Sequence, residues 1–225
     1  MQTDLLNVLP AMLLGAQLIV TLVLSKGEIC PGQRGRIHKL IPALVALWVA
    51  ASLNMVEGLA IAGGLMYFYS QVQTNKTREK GPLWLLHVGN LAALVLLLLP
   101  AASMQAYGLA FYQVLIAGYT GALFAHLMLV VARTRLQAFH RILPVSGILI
   151  AMGLALSLLY RGYQLDEQLV KQLTPFLLIG FLLLVSSILS WCWHLISHKS
   201  ANKWQVGFSV VNALAAVTLF SRFYH

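Results

Sequence analysis

Gln105, Tyr112, Tyr119, His126 and Arg133 recur at seven-residue intervals. Two turns of an α-helix take about 7.2 residues, so these side chains fall along one slowly drifting face. A hydrogen-bonding face that runs the depth of an apolar helix is what a translocation path or a cofactor cleft requires. It also serves as glue between helices. Gly118 and Gly121 flank Tyr119 and admit a close neighbour.

The histidines form a second set. His194 and His198 make an H-x-x-x-H pair, a spacing that can seat a divalent metal on one helix face. His87 and His126 fall at similar depth if their helices are adjacent and antiparallel, the first condition for bis-histidine ligation of a b-type haem. His140 falls near the same side by alternation of the helices. Ser186 and Ser190 share the His194 face, and Gln205, Ser209, Asn212 and Asn90 are further buried polar candidates. Each of these needs a partner inside an apolar bundle, so structural clamps are their ordinary reading.

A third feature is Glu57, which sits with Asn54 in "ASLNMVEGLAIAGG", an otherwise apolar stretch. At mid-membrane a carboxyl costs several kcal/mol unless paired or protonated, and it then marks a functional site. In a turn at the water interface it marks nothing.

The elements that must position these residues are membrane helices. The chain has 225 residues, 60% hydrophobic and 9% charged, against roughly a quarter charged in soluble domains. Apolar runs at 5–25, 83–101, 107–132, 142–160, 174–197 and 205–221 are long enough to cross a bilayer core of about 30 Å. The composition predicts an all-α polytopic transmembrane helical bundle of about 7–8 membrane segments, a single integral-membrane domain over 1–225. The first run lacks the flanks of a secretory signal and reads as a retained span.

The segment 40–70 either crosses once or goes in and returns, as 37–53 and 57–73. The distribution of Lys and Arg separates the two. A return places 12 on one side and 3 on the other, and a single crossing places 8 against 7. Only the first obeys the positive-inside bias, so the return is expected. It would make Glu57 a turn residue and put the basic loops in the cytoplasm of a bacterial inner membrane. Short basic loops between spans also account for the net charge of +9 without a nucleic-acid partner. Trp84, Trp191, Trp193 and Trp204 at span ends form the expected interfacial belt.

No Walker motif, serine-hydrolase elbow, C-x-x-C pair or buried lysine appears in the later spans. The leading reading is therefore transport of a small solute, ion or proton rather than catalysis. Its path would use Asn54, Glu57, Gln105, Tyr112, Tyr119 and His126. One alternative is a haem- or metal-binding redox protein, or a lipid enzyme, built on His87, His126, His194 and His198. The other is a non-catalytic membrane subunit or assembly factor, paired with a membrane-protein partner or with itself through small-residue faces such as Gly63/Gly64.

Overall fold

The computed structural model describes residues 2–27, 29–74, 81–103, 107–134 and 136–224. Among these there are nine α-helices and no strand: α1 (Gln2–Lys26), α2 (Pro31–His38), α3 (Ile41–Ala51), α4 (Gly58–Thr74), α5 (Leu83–Ser103), α6 (Tyr107–Val131), α7 (Gln137–Gln164), α8 (Glu167–Ile196) and α9 (Lys203–Phe220). A 3₁₀ turn, Ser221–Phe223, follows α9. Helices α1 and α5 to α9 are long and apolar enough to span a membrane. The basic residues Lys76, Arg78, Lys80 and Arg135 lie outside the described residues.

The 40–70 segment returns. Helix α3 has 11 residues, about 16 Å of rise, which is half a bilayer core. The chain then turns through residues 52–57 and runs back as α4. Two contacts fix the geometry. Asn54 Nδ2 donates to Asn7 Oδ1 at 2.5 Å, which places the turn beside the start of α1. Arg36 Nη1 donates to the Arg133 carbonyl at 3.2 Å, which places the α1–α3 connection beside the end of α6. Helices α1 and α6 therefore run parallel, as the odd number of passes between them (α3, α4 and α5) demands. The charge count anticipated this arrangement.

Helix α1 is the hub. Its apolar surface is mostly enclosed, as are those of α6 and α9, whereas α5, α7 and α8 leave most of theirs outward. Outward residues include Leu91, Leu149, Leu156, Leu182 and Leu189, which is the expected face toward hydrocarbon. Helices α1 and α6 meet backbone to backbone where Gly15 lies against Ala117 and Gly121. Two polar residues of α1 staple its other neighbours. Trp48 Nε1 donates to Gln17 Oε1 at 3.0 Å. Asn90 Nδ2 donates to Thr21 Oγ1 at 3.1 Å, and Thr21 in turn donates to the Gln17 carbonyl. Buried amides thus tie α3 and α5 to α1, at about 0.6 kcal/mol per interhelical bond.

Helix α8 starts seven residues before its apolar run. Asp166 occupies its N-cap position, Glu167 its first turn, and Lys171 pairs with Glu167 at 2.6 Å. Negative charge near a helix N-terminus and an i,i+4 ion pair extend the helix into water beyond the apolar stretch. Periodicity of apolar residues could not show this.

His38, at the end of α2, is buried, and neither ring nitrogen has a hydrogen-bond partner. Its ring meets the Phe68 ring edge-on at 5.7 Å. Burial, with Arg34 nearby adding to it, lowers its pKa from 6.5 to about 4. The unfolded chain therefore binds a proton that the folded one refuses, and stability falls as pH drops from 6.5 to about 4. His38→Leu is expected to remove this part of the acid sensitivity. The check is the difference in thermal midpoint between variant and wild type, which should widen in the variant's favour across that window.

Candidate functional site

Helices α6 and α7 form a hairpin whose turn lies near residue 133. His126 is seven residues before that point and His140 seven after it, so the two rings reach the same depth. His126 Nε2 and His140 Nδ1 are 2.9 Å apart. Helix α8 brings Trp191 and His194 to the same place. Trp191 Nε1 donates to His126 Nδ1 at 2.6 Å, and the His194 ring centre lies 5.4 Å from that of His126.

The proton positions follow from which partners can donate. An indole N–H only donates, so His126 Nδ1 is an acceptor and the proton of the neutral ring is on Nε2. That proton is donated to His140 Nδ1. His140 then carries its own proton on Nε2, which faces the Thr134 carbonyl at 3.2 Å. The series Trp191, His126, His140, Thr134 is directional, and each member fixes the next. His194 stands apart from it. Its Nδ1 faces the Trp191 carbonyl at 2.7 Å and its Nε2 the His140 carbonyl at 3.1 Å.

This cluster backs a cleft of about 950 Å³ at the end of the bundle. Arg133, Arg141, Lys199, His140, His194 and His198 line it, with Thr134, Gln137 and Ser200 between them. No carboxylate is among the lining residues. Arg133 and His198 have φ of +50° and +53°, and they are the only non-glycine residues with positive φ among the described residues. Arg133 closes α6 in a Schellman turn, with Arg133 N bonded to the Val130 carbonyl and Thr134 N to the Leu129 carbonyl. Glycine ordinarily fills that position. Side chains held in left-handed backbone cluster at binding sites, at a cost of about 1–3 kcal/mol each. Here both project at one cleft.

Deeper in the bundle the polar groups close on one another. Tyr119 Oη donates to Ser187 Oγ at 2.9 Å, and Ser187 Oγ to the Ser209 carbonyl at 2.8 Å. Ser190 and Ser209 hydroxyls are 2.7 Å apart. Gln205 Nε2 donates to the Ser190 carbonyl, Asn212 Nδ2 to Ser186 Oγ, and Tyr112 Oη to the Val217 carbonyl at 3.2 Å. The Tyr112 ring stacks on Tyr224 at 4.2 Å. Tyr112, Tyr119 and His126 thus form one buried column between α6, α8 and α9.

The sequence-predicted residues divide into separate places. His126, His194 and His198 gather at the basic end. Asn54 and Glu57 lie at the opposite end, both exposed, in the α3–α4 turn. Gln105 lies outside the described residues. His87 is exposed on α5, and the rings around His126 are those of His140, Trp191 and His194. The bis-histidine pair of His87 and His126 is not assembled. Among the described residues no three His, Cys, Asp or Glu side chains gather as a metal site, because these imidazole nitrogens point at each other and at carbonyls. Sequence reasoning undervalued His140, Arg141, Lys199 and the indole of Trp191. The equal spacing of His126 and His140 about Arg133 was the available signal for the first.

Six apolar spanning helices around a sealed polar column, with charge confined to the ends, define a polytopic integral membrane protein. The chain belongs to a family defined by an integral membrane domain, whose model matches residues 1–220. It is similar to a curated protein of Haemophilus influenzae (strain ATCC 51907 / DSM 11121 / KW20 / Rd), described as uncharacterized, with 34% identity over 167 residues. That alignment covers 66% of this chain and 61% of the relative, so it spans about three fifths of the relative's length. No solved structure matches.

Proposed function

We propose that the protein is a small carrier of the bacterial inner membrane that loads an anionic solute in the histidine-backed cleft on its cytoplasmic side. The observation that carries this reading is the cleft itself. Three permanent cations, Arg133, Arg141 and Lys199, and three histidines face about 950 Å³ with no carboxylate among them. Uncompensated positive charge at a water-accessible mouth attracts and holds anions. The column of Tyr119, Ser187, Ser190 and Ser209 supplies hydroxyls that can exchange partners, and it is the route by which cargo or a proton would leave the cleft. These hydroxyls are hydrogen-bonded within the column, so passage along the proposed route would require those bonds to exchange.

The sidedness is part of the proposal. Arg36, Arg133, Arg141, Lys199 and Lys203 lie toward the cleft end, and Arg161, Lys171 and Arg222 toward the other. The positive-inside bias makes the cleft end cytoplasmic. Glu57 and Asn54 then face the periplasm. Glu57→Cys, in a chain lacking Cys30 and Cys192, is expected to react with a membrane-impermeant thiol reagent applied to spheroplasts from outside. Reaction only after the membrane is opened would reverse the orientation and remove the cytoplasmic assignment.

The test of the anion site uses inorganic phosphate. Titrated calorimetrically into the purified protein, phosphate is expected to bind wild type and to lose most of its affinity for Arg133→Gly/Lys199→Gln. Charge-assisted hydrogen bonds contribute about 1.5–3 kcal/mol each. Glycine suits the left-handed backbone at position 133, so the variant should fold at least as well as wild type. Equal phosphate affinity in both proteins would dispose of the site.

A further inference from the structure

The cleft does not end at its cationic walls. A second cavity of about 740 Å³ shares Arg133, Lys199 and Ser200 with it and adds Lys203, Trp193 and Gln205. A third, of about 550 Å³, shares Trp193 and Gln205 with the second and continues up the outer side of α8 and α9 past Leu189, Val185 and Leu182. Through these shared residues the three cavities adjoin, cationic at the interface end and apolar along the bundle. From Trp193 to Leu182 is about 16 Å along α8, and one leaflet of a bilayer core about 30 Å thick is about 15 Å deep. The groove therefore runs from the interface to the midplane.

Its floor accepts hydrocarbon. Ser186 is bonded by Asn212, the Ser190 hydroxyl is shared with Ser209, and Gln205 donates to the Ser190 carbonyl. These polar groups have partners within the protein and ask nothing of an occupant. The walls, Leu182, Val185 and Leu189, are each at least half exposed. At the level where the apolar groove meets the basic cleft, Trp193 is exposed and Lys203 stands over the neighbouring Trp204 ring at 5.3 Å. Indole and cation together are the usual companions of a lipid headgroup.

We infer that the anion of the loading site is the headgroup of an acyl lipid: a phosphate monoester or diester seated among Arg133, Lys199 and Lys203, with one chain lying along α8 between Trp193 and Leu182. This rests on the anion site proposed above and names its substrate class. A water-soluble anion would use the cationic end and leave the leaflet-deep groove without a role. A zwitterionic lipid would bring a further positive charge to a mouth that already has several.

The test places the full chain in phosphatidylcholine vesicles and titrates lipids carrying brominated acyl chains, which quench tryptophan on contact. Trp193 is read as the difference between wild type and Trp193→Phe, an exposed and tolerant position. Brominated phosphatidic acid is expected to quench Trp193 at about a tenfold lower mole fraction than brominated phosphatidylcholine, a headgroup preference of about 1.4 kcal/mol. The preference should vanish in Arg133→Gly/Lys199→Gln and survive excess glycerol phosphate in the water. Equal quenching by the two lipids, in a protein that still binds inorganic phosphate, would overturn the lipid assignment and leave the anion site standing. Equal quenching together with no phosphate binding would overturn both.

Discussion

Gly121→Leu is expected to leave no folded protein. A side chain on Gly121 would start inside the backbone of α1, since its Cβ would overlap Gly15 Cα and lie 2.6 Å from Gly15 C and 2.8 Å from Ala16 N. The contact is reciprocal, because a Cβ on Gly15 would overlap the Ala117 carbonyl oxygen and lie 2.9 Å from Gly121 Cα. Flexible side chains can yield to an added methyl group, but two helix backbones in contact cannot. Overpacking ordinarily costs about 1–3 kcal/mol, and a clash with backbone belongs at or above the top of that range. Helix α1 holds α3, α5 and α6 in place, so separating it from α6 dissolves the bundle rather than one interface. The matched control is Gly63→Leu on α4, where an added Cβ meets nothing within 4 Å. Size-exclusion profiles in detergent should show Gly63→Leu as a single wild-type peak and Gly121→Leu as aggregate. A monodisperse Gly121→Leu protein with a wild-type thermal midpoint would mean that α1 and α6 do not meet as described.

The same residues show how far the sequence could be read. Gly118 and Gly121 stood out as places of close approach, and Gly121 does lie against the backbone of α1. The sequence could not say that the partner is Gly15, because small residues mark an approach without naming what approaches. Gly118 meets only the Ile150 side chain, at 3.1 Å. The seven-residue stripe was legible as a shared face, and Tyr112, Tyr119 and His126 are indeed buried together. Its hydrogen-bond partners lie 105 and 68 residues away for the two tyrosines, a distance that periodicity cannot bridge. The return of 40–70 was legible only through charge, since neither length nor apolarity separates a tilted helix from a half-length pair. The cleft was illegible in principle. Arg133, Arg141 and Lys199 look like ordinary positive-inside residues, and what distinguishes them is that two connections, α6–α7 and α8–α9, bring them round one cavity. The left-handed backbone at Arg133 and His198 has no sequence signature, because the residue that would announce it, glycine, is the one not used.

His126→Leu should reveal whether the imidazole series is a unit. The substitution leaves the buried Trp191 indole N–H without a partner, at about 1–3 kcal/mol, and also removes the partner of the half-buried His140 Nδ1. Trp191→Phe orphans only His126 Nδ1. It also thins the packing over Gly147, where an added Cβ would lie 2.6 Å from the indole Cη2. Combining the two substitutions removes donor and acceptor together, so the double variant should be more stable than the sum of the single losses implies. A coupling within about 0.5–3 kcal/mol, the range for residues in one network, is the expected result from thermal or denaturant unfolding of the four proteins; strict additivity would mean the 2.6 Å contact contributes nothing. The second reading is phosphate affinity. His126 does not line the cleft, but it fixes which nitrogen of His140 carries the proton and hence which way that ring presents itself to the cavity. Loss of His126 should therefore weaken phosphate binding without removing any charge from the site. A change in stability alone, with phosphate affinity intact, would show that the buried series supports the helices and that the cationic rim does the binding unaided.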